Sequence, residues 1–494
     1  MMKRPVKKVM LIFPPISGTR ITNNMCDMPM GIAYLAAYLR EHLDVDISIL
    51  DAVAEGYKHI EPLEHDSIKY GLSYDKIEER IREFQPDLVG LSTIFSSQFP
   101  FVREIARRIR KMDPDVFLVS GGTYPSFLPQ HALESSELDA VVIGEGELPL
   151  TALIERINEG KDLEGLPALA IKKNGDVLIN SRRWMVDDLD ALPLPARDLL
   201  PVENYFKINM PMQIVSMNRR NLPLVTSRGC PYRCSFCSST IHWGHKYRRR
   251  SVEKVLAEMS LLKDRYNVKE IKFEDDNLTF DKKRAKELFN GMIERGFNFH
   301  WNTPNGIAVR HLDDEMLGLM KKSGCYELTL AIESGDPDVL KNIINKPLDL
   351  SEAKEAVRRI KSHGIGTAAY FIIGLPGEKK RQVENTVKLA GDLHLDRLYI
   401  FLYNPLPGTP LAEEAIDKGL VREDFDYEKG NHYFLPMIRL PDMTWDELLT
   451  LQRRAFLMNN IRLLFRNPPR FLARWGVTVK NHPGIILKFL RAIR

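Results

Sequence analysis

The 494-residue chain is 44% hydrophobic and 28% charged, with a net charge of +4. That balance fits a soluble globular protein of two or three domains, each with ample core. No apolar run approaches the roughly 20 residues of a membrane span, and Pro14-Pro15 closes the first apolar run too early for a signal peptide. Five cysteines are too few, and odd in number, for a disulfide scaffold, so a reducing cytoplasm is the expected setting.

In chain order, Lys8 to Phe13, Asp46 to Leu50, Asp87 to Ser92, Val116 to Ser120 and Ala140 to Ile143 read as buried strands. Helical patterns lie between them at Gly31 to His42, Tyr74 to Phe84 and Phe101 to Met112. This alternation predicts a doubly wound parallel sheet over residues 1–148. Such sheets bind ligands beyond the carboxyl ends of their strands. The polar and glycine-rich punctuation falls there: Asp51 to Gly56, Ser92-Thr93, Gly121-Gly122-Thr123 and Gly144-Glu145-Gly146-Glu147. Residues 149–215 carry scattered prolines and read as a linker with one helix and a small hairpin, Ala168 to Asn180.

The first domain resembles the cobalamin-binding domain, whose signature is D-x-H-x-x-G. Here the stretch is Asp51-Ala52-Val53-Ala54-Glu55-Gly56. Val53 stands where the histidine would be, which implies cobalamin bound without a histidine below the cobalt. Ser92 and Gly121-Gly122 match the later positions that wrap the nucleotide tail. The alternative is a flavodoxin-like domain without a cofactor.

Three of the five cysteines, Cys230, Cys234 and Cys237, fall within eight residues in the pattern C-x3-C-x2-C. Leu222 to Val225 reads as a short buried strand leading into them, and Arg228-Gly229 and Pro231 make the stretch a loop. The thiols are therefore candidates for a soft-metal site. Structural zinc wants four ligands, and no fourth Cys or His has the usual paired spacing, although His242 and His245 are near. The other two cysteines are Cys325, read as structural, and Cys26, which has no assigned role.

The cysteine stretch, with aromatic Phe236 before Cys237, resembles the radical S-adenosylmethionine (SAM) superfamily. The resemblance implies a [4Fe-4S] cluster on the three cysteines, SAM on the remaining iron, and an open (βα)6 barrel over residues 216–412. Downstream strands read at Glu270 to Phe273, Asn298 to Asn302, Glu327 to Ile332, Thr367 to Ile373 and Arg397 to Leu402, with helical patterns between. Polar residues follow these strands where a barrel carries its site. Glu274 and Asp275, with Asp276 and Asn277 after them, resemble the region that binds the SAM amino group. Asn305 and Arg310 follow the third strand. Glu333 and Ser334 resemble the ribose or carboxylate contact, and Gly374 and Leu375 the adenine-side turn. Tyr247 to Ser251 reads as a solvated basic run that ends in a helix cap.

Residues 413–494 read as a mainly helical segment. From Leu451 to Arg494 there are ten Lys or Arg and no acid, which leaves 60 basic against 66 acidic residues elsewhere. With Phe471, Leu472, Trp475, Ile485 and Phe489 this suggests either peripheral membrane contact or a lid over a lipophilic small-molecule substrate. Nucleic acid is disfavoured, because no aromatic platform accompanies the charge.

The resemblance leads to a cobalamin-dependent methyltransferase acting on an unactivated carbon, served by an electron donor such as flavodoxin or ferredoxin. An anaerobic ring-forming cyclase is the main alternative. A methylthiotransferase would need a second cysteine triad, and a cobalamin sensor would not need the first.

Overall fold

The computed structural model describes residues 4–19, 26–63, 67–209, 216–429 and 435–466, with 468, 469, 471, 472 and 476 beyond them. Trp475, Ile485 and Phe489 of the basic C-terminal stretch lie outside the described residues. Among the described residues no helix is long and apolar enough to cross a membrane. The chain divides into two compact units. One is Met1–Met212 with Ile241–Trp243 and Asp426–Gly430; the other is Gln213–Thr240, Gly244–Phe425 and Asn431–Arg494.

The strands of the first unit are β1 (Lys8–Phe13), β2 (Ile16–Thr19), β3 (Asp46–Asp51), β4 (Ile60–Pro62), β5 (Ser67–Tyr70), β6 (Leu88–Ser92), β7 (Phe117–Gly121), β8 (Ala140–Val142), β9 (Leu169–Lys173) and β10 (Asp176–Asn180). Its main sheet has the order β10-β9-β8-β7-β6-β1-β3. The five strands predicted from apolar runs pair in parallel. They form because each run is buried; on one face Met10, Ile12, Val89 and Leu91 pack with the apolar sides of helices Tyr74–Phe84 and Phe99–Met112. Ser73 caps the first of these by accepting from the N–H of Lys76.

The stretch expected to be a linker is part of this unit. β9 and β10 form the predicted hairpin, but β9 also pairs antiparallel with β8 and extends the sheet. Helix Val202–Ile208 folds back on β3. Tyr205 Oη donates to Asp51 Oδ2 at 2.5 Å, and Asn204 Nδ2 donates to the Ala54 carbonyl at 3.1 Å. Prolines punctuate the path between these contacts, which is why the stretch lacks periodicity without being a spacer. A second, antiparallel sheet, β2-β5-β4, was not foreseen. Its strands are three or four residues long, too short for an alternation to show.

The second unit holds β11 (Asn221–Leu224), β12 (Ser227–Arg228), β13 (Arg248–Arg249), β14 (Glu270–Phe273), β15 (His300–Ile307), β16 (Cys325–Glu333), β17 (Gly366–Ile373) and β18 (Arg397–Leu402). Six of them make one parallel sheet, β11-β14-β15-β16-β17-β18, the predicted open barrel. Helices predicted from the 3.6-residue period connect them. Side chains of Ser251, Asp281, Asp313 and Asp349 cap four of these at their N-termini. Helix Trp445–Arg466 lies along β18, where Gln452 Nε2 donates to the Ile400 carbonyl at 2.8 Å.

Candidate functional site

In the second unit, Cys230, Cys234 and Cys237 lie on the loop after β11 and β12, all three half-buried. The N–H of Cys237 donates to the Cys234 carbonyl at 3.1 Å, so the last two cysteines share one turn. Burial pushes the thiols up, to about 11 for Cys230 and Cys234 and about 12 for Cys237. Iron binds the thiolate, so cluster assembly releases these protons. Among the described residues no three Cys, His, Asp or Glu side chains are placed to hold a single metal ion. Thiols that each ligate a different iron of a cubane need not converge on one point. Phe236 and Cys234 pack on Leu340 and Ile344.

The barrel brings its polar residues to the same end of the sheet. Asp275, at the end of β14, is buried and already committed. It accepts from Thr226 N–H at 3.1 Å, Thr226 Oγ1 at 2.7 Å and Ser227 Oγ at 2.5 Å, and so anchors the entry to the cysteine loop. Its neighbour Asp276 lies beside the thiols and acts on Cys230 and Cys237, while Ser239 Oγ donates to it at 2.6 Å. Asn277 Oδ1 and Thr279 Oγ1 are buried and have no partner among the described residues. Orphaned buried acceptors on the loop that carries Asp276 fit a polar ligand such as SAM. In the sequence, Glu274 to Asn277 read as one stretch that does not reach Thr279. Tertiary contacts, not spacing, decide which acid of Glu274-Asp275-Asp276 is taken by the backbone.

Glu274 and Asn305 hold each other's loops, Asn305 Nδ2 donating to the Glu274 carbonyl at 2.7 Å. Arg310 is exposed and its charge acts on Tyr232, inside the cysteine loop, whose hydroxyl bonds His311 Nε2 at 3.0 Å. Glu333 ends β16 with φ +70° and pairs with Lys346. Ser334 Oγ bonds Thr386 Oγ1 at 3.1 Å and accepts from Asp336 N–H, which fixes the turn. The N–H groups of Gly374 and Leu375 both donate to Glu378 Oε2, at 2.7 and 3.0 Å. Burial raises the Glu378 carboxyl to about 7.

In the first unit the strand order reverses at β1, which lies between β3 and β6. The crevice of such a sheet opens at that reversal, beyond β1 and β6. Three buried polar atoms there have no partner among the described residues: Ser17 Oγ, Thr93 Oγ1 and Gln98 Nε2. Gly122 adopts φ +102°, and a Cβ on it would overlap the Thr93 backbone. Ser92, Gly121 and Thr123 flank this point, each partly exposed. Gly144 accepts a neighbouring role through its N–H, which donates to Ser126 Oγ at 2.9 Å, and Glu145 is buried beside it. Orphaned donors and acceptors around a close backbone approach fit the amide-rich periphery of cobalamin.

Asp51, Val53 and Gly56 follow β3, the edge strand, one strand away from the reversal. Asp51 and Val53 are fully buried. Asp51 Oδ1 accepts from the N–H of Val53 and of Ala54, both at 2.9 Å, and so caps the short helix Ala52–Glu55. Gly56 packs against the backbone of Leu72, where any side chain would collide. The structure thus accounts for Asp51 and Gly56 by local folding, and it places the crevice at Ser17, Thr93 and Gln98.

Comparison with known proteins agrees with both halves. Residues 224–390 match the model of the radical SAM superfamily, and residues 22–154 that of the B12 binding domain. The chain is 34% identical over 447 residues to the cytidylyl-2-hydroxyethylphosphonate methyltransferase of Streptomyces wedmorensis, covering 85% of this chain and 83% of that one. It is 32% identical to an uncharacterized methyltransferase of Pyrococcus horikoshii, over 99% of this chain and 98% of that one. The radical SAM methyltransferase TsrM from Kitasatospora setae, solved with cobalamin and a [4Fe-4S] cluster, shares the fold. Its TM-score is 0.73 at 18% identity, over 97% of this chain and 99% of that one. At such identity and coverage, and with three thiols where a cluster needs them, the chain belongs to the B12-binding radical SAM enzymes, whose cofactors are a [4Fe-4S] cluster, SAM and cobalamin.

Proposed function

We propose that the chain transfers a methyl group to an unactivated carbon of a small-molecule substrate. The observation that carries this is the near full-length match, above 30% identity, to two relatives named as methyltransferases. When bound, the cluster and SAM supply a radical that removes a hydrogen atom, and cobalamin relays the methyl group.

The residues of the chain do the holding. Cys230, Cys234 and Cys237 would ligate three irons. Asp276, Asn277 and Glu333 would offer acceptors to the SAM ammonium and hydroxyl groups, and the Gly374-Leu375 turn, fixed by Glu378, would support the adenine. Ser17, Thr93 and Gln98 would hold cobalamin amides, with Gly122 admitting the nucleotide tail. The position that matches the cobalt-ligating histidine is held by Val53, which is buried and would offer cobalt no imidazole. A low-potential carrier such as flavodoxin or ferredoxin supplies the electron.

The test is anaerobic reconstitution with all three cofactors, a reductant and methyl-labelled SAM. The first substrate to try is the compound named in the Streptomyces relative, cytidylyl-2-hydroxyethylphosphonate, followed by cell extracts. A product heavier by one labelled methyl supports the proposal. Loss of hydrogens with no added carbon would replace it with ring closure.

A further inference from the structure

The segment that follows Glu333 grips the cysteine loop. The Ile344 carbonyl accepts from Ser235 N–H at 2.8 Å, and the Ile343 carbonyl accepts from Ser235 Oγ at 2.5 Å. Asn345 Nδ2 donates to the Arg233 carbonyl at 3.1 Å. The same segment supplies Leu340 and Ile344, the apolar floor under Cys234 and Phe236.

Its backbone is unusual in three places. Val339–Ile343 is a π-helix, a rare turn found mostly at functional sites. Asn345 has φ +56° and Glu333 has φ +70°, a region in which side chains crowd the backbone. For Glu333 such strain persists only where neighbours impose it. Together these features deliver one side chain, Lys346, to a place beside the thiols. Lys346 Nζ donates to Glu333 Oε1 at 3.0 Å, and the two side chains are only 15% and 8% exposed. The ammonium acts on the thiols of Cys230 and Cys234, and the Glu333 carboxylate acts on Cys234 and Cys237 in the opposite sense.

We propose that Lys346 is a positioning residue for the iron–sulfur centre: its ammonium, held in place by Glu333, offsets the negative charge of the three thiolates and sets how readily the centre is reduced. Reduction adds one electron from the external reductant, with no bond made or broken, so the centre becomes more negative by one charge. A cation nearby favours that state, and a nearby carboxylate disfavours it, most strongly where burial limits solvent screening. Burying a lysine is itself unfavourable, and the ion pair with Glu333 offsets that cost. The proposal rests on the cluster alone, so it stands or falls independently of whether the reaction is methyl transfer.

The experiment compares the full-length protein with Lys346→Met, Lys346→Arg and Glu333→Gln after anaerobic reconstitution without SAM. Iron and sulfide per chain are measured first, then the midpoint potential by spin-resonance-monitored titration with dithionite. Lys346→Met is expected to shift the midpoint to more negative values and Glu333→Gln to more positive ones, with Lys346→Arg close to the wild type. Unchanged midpoints in Lys346→Met and Glu333→Gln, or shifts of the same sign, overturn the proposal and leave the pair a purely structural clamp. If Lys346→Met takes up no iron, Glu333→Gln decides alone, and a midpoint that does not rise overturns it.

Discussion

Asp51 shows how one side chain can carry a motif and yet serve the fold. Its carboxylate is buried between a helix N-terminus and the Tyr205 hydroxyl. Burial pushes its carboxyl from the ordinary 3.8 up to about 6, against the pull of those hydrogen bonds. The folded protein therefore keeps a proton there that the unfolded chain releases, so stability falls as pH rises from about 4 to about 6. Asp51→Asn keeps the acceptor for Val53 and Ala54 and removes the charge. It should flatten that part of the stability–pH curve and leave the melting temperature at pH 7 equal or higher. An undiminished slope in the variant would place the titrating group elsewhere. The motif was legible in the sequence, but its role was not: the aspartate's partner, Tyr205, is 154 residues away.

At the scale of elements, a short segment from beyond the barrel belongs to the first unit. Asp426–Gly430 lies there, with Tyr427 against the sheet core. Glu428 accepts from Arg103 at 2.8 Å, bonds His131 at 3.0 Å and accepts from Tyr124 Oη at 3.3 Å. The carboxylate is mostly shielded, and losing it removes an acceptor shared by three side chains, of which Tyr124 is buried. Glu428→Ala should lower the unfolding free energy by about 1–3 kcal/mol in denaturant titrations. A loss no larger than the ~0.5 kcal/mol of an ordinary surface change would show that the segment only rests on the unit. No periodicity announces this contact, because five residues without regular structure bear no pattern to read. The long parallel strands and capped helices were legible because their burial repeats along the chain.

For the whole molecule, the cysteine count sets the cofactor stoichiometry. Among the five cysteines, Cys325 is buried, with its thiol on the Glu327 carbonyl at 3.6 Å, and Cys26 is buried in the first unit. Only Cys230, Cys234 and Cys237 remain for iron. One cluster, about four irons per chain, is expected after reconstitution. Replacing any of the three with Ala should deplete the iron while circular dichroism stays that of the wild type, because the loop lies outside the strands and helices that fill each unit. About eight irons per chain would reveal a second cluster and reopen the methylthiotransferase reading.

The sequence by itself determined the class of both units and singled out the candidate metal ligands. Apolar runs of strand length alternate with amphipathic periods, and three thiols within one loop must lie near each other in any fold. The tertiary structure decided what no local pattern encodes. It made residues 149–209 part of the first unit, since that follows from β9 pairing with β8 and from Tyr205 reaching Asp51. It also engaged Asp275 with Thr226 and left Asn277 Oδ1 and Thr279 Oγ1 unpartnered among the described residues. Lys346 reached the cysteines only through a π-helix and two left-handed residues. In each case the deciding contact joins residues far apart in sequence, and its energy depends on burial that only the assembled sheet provides.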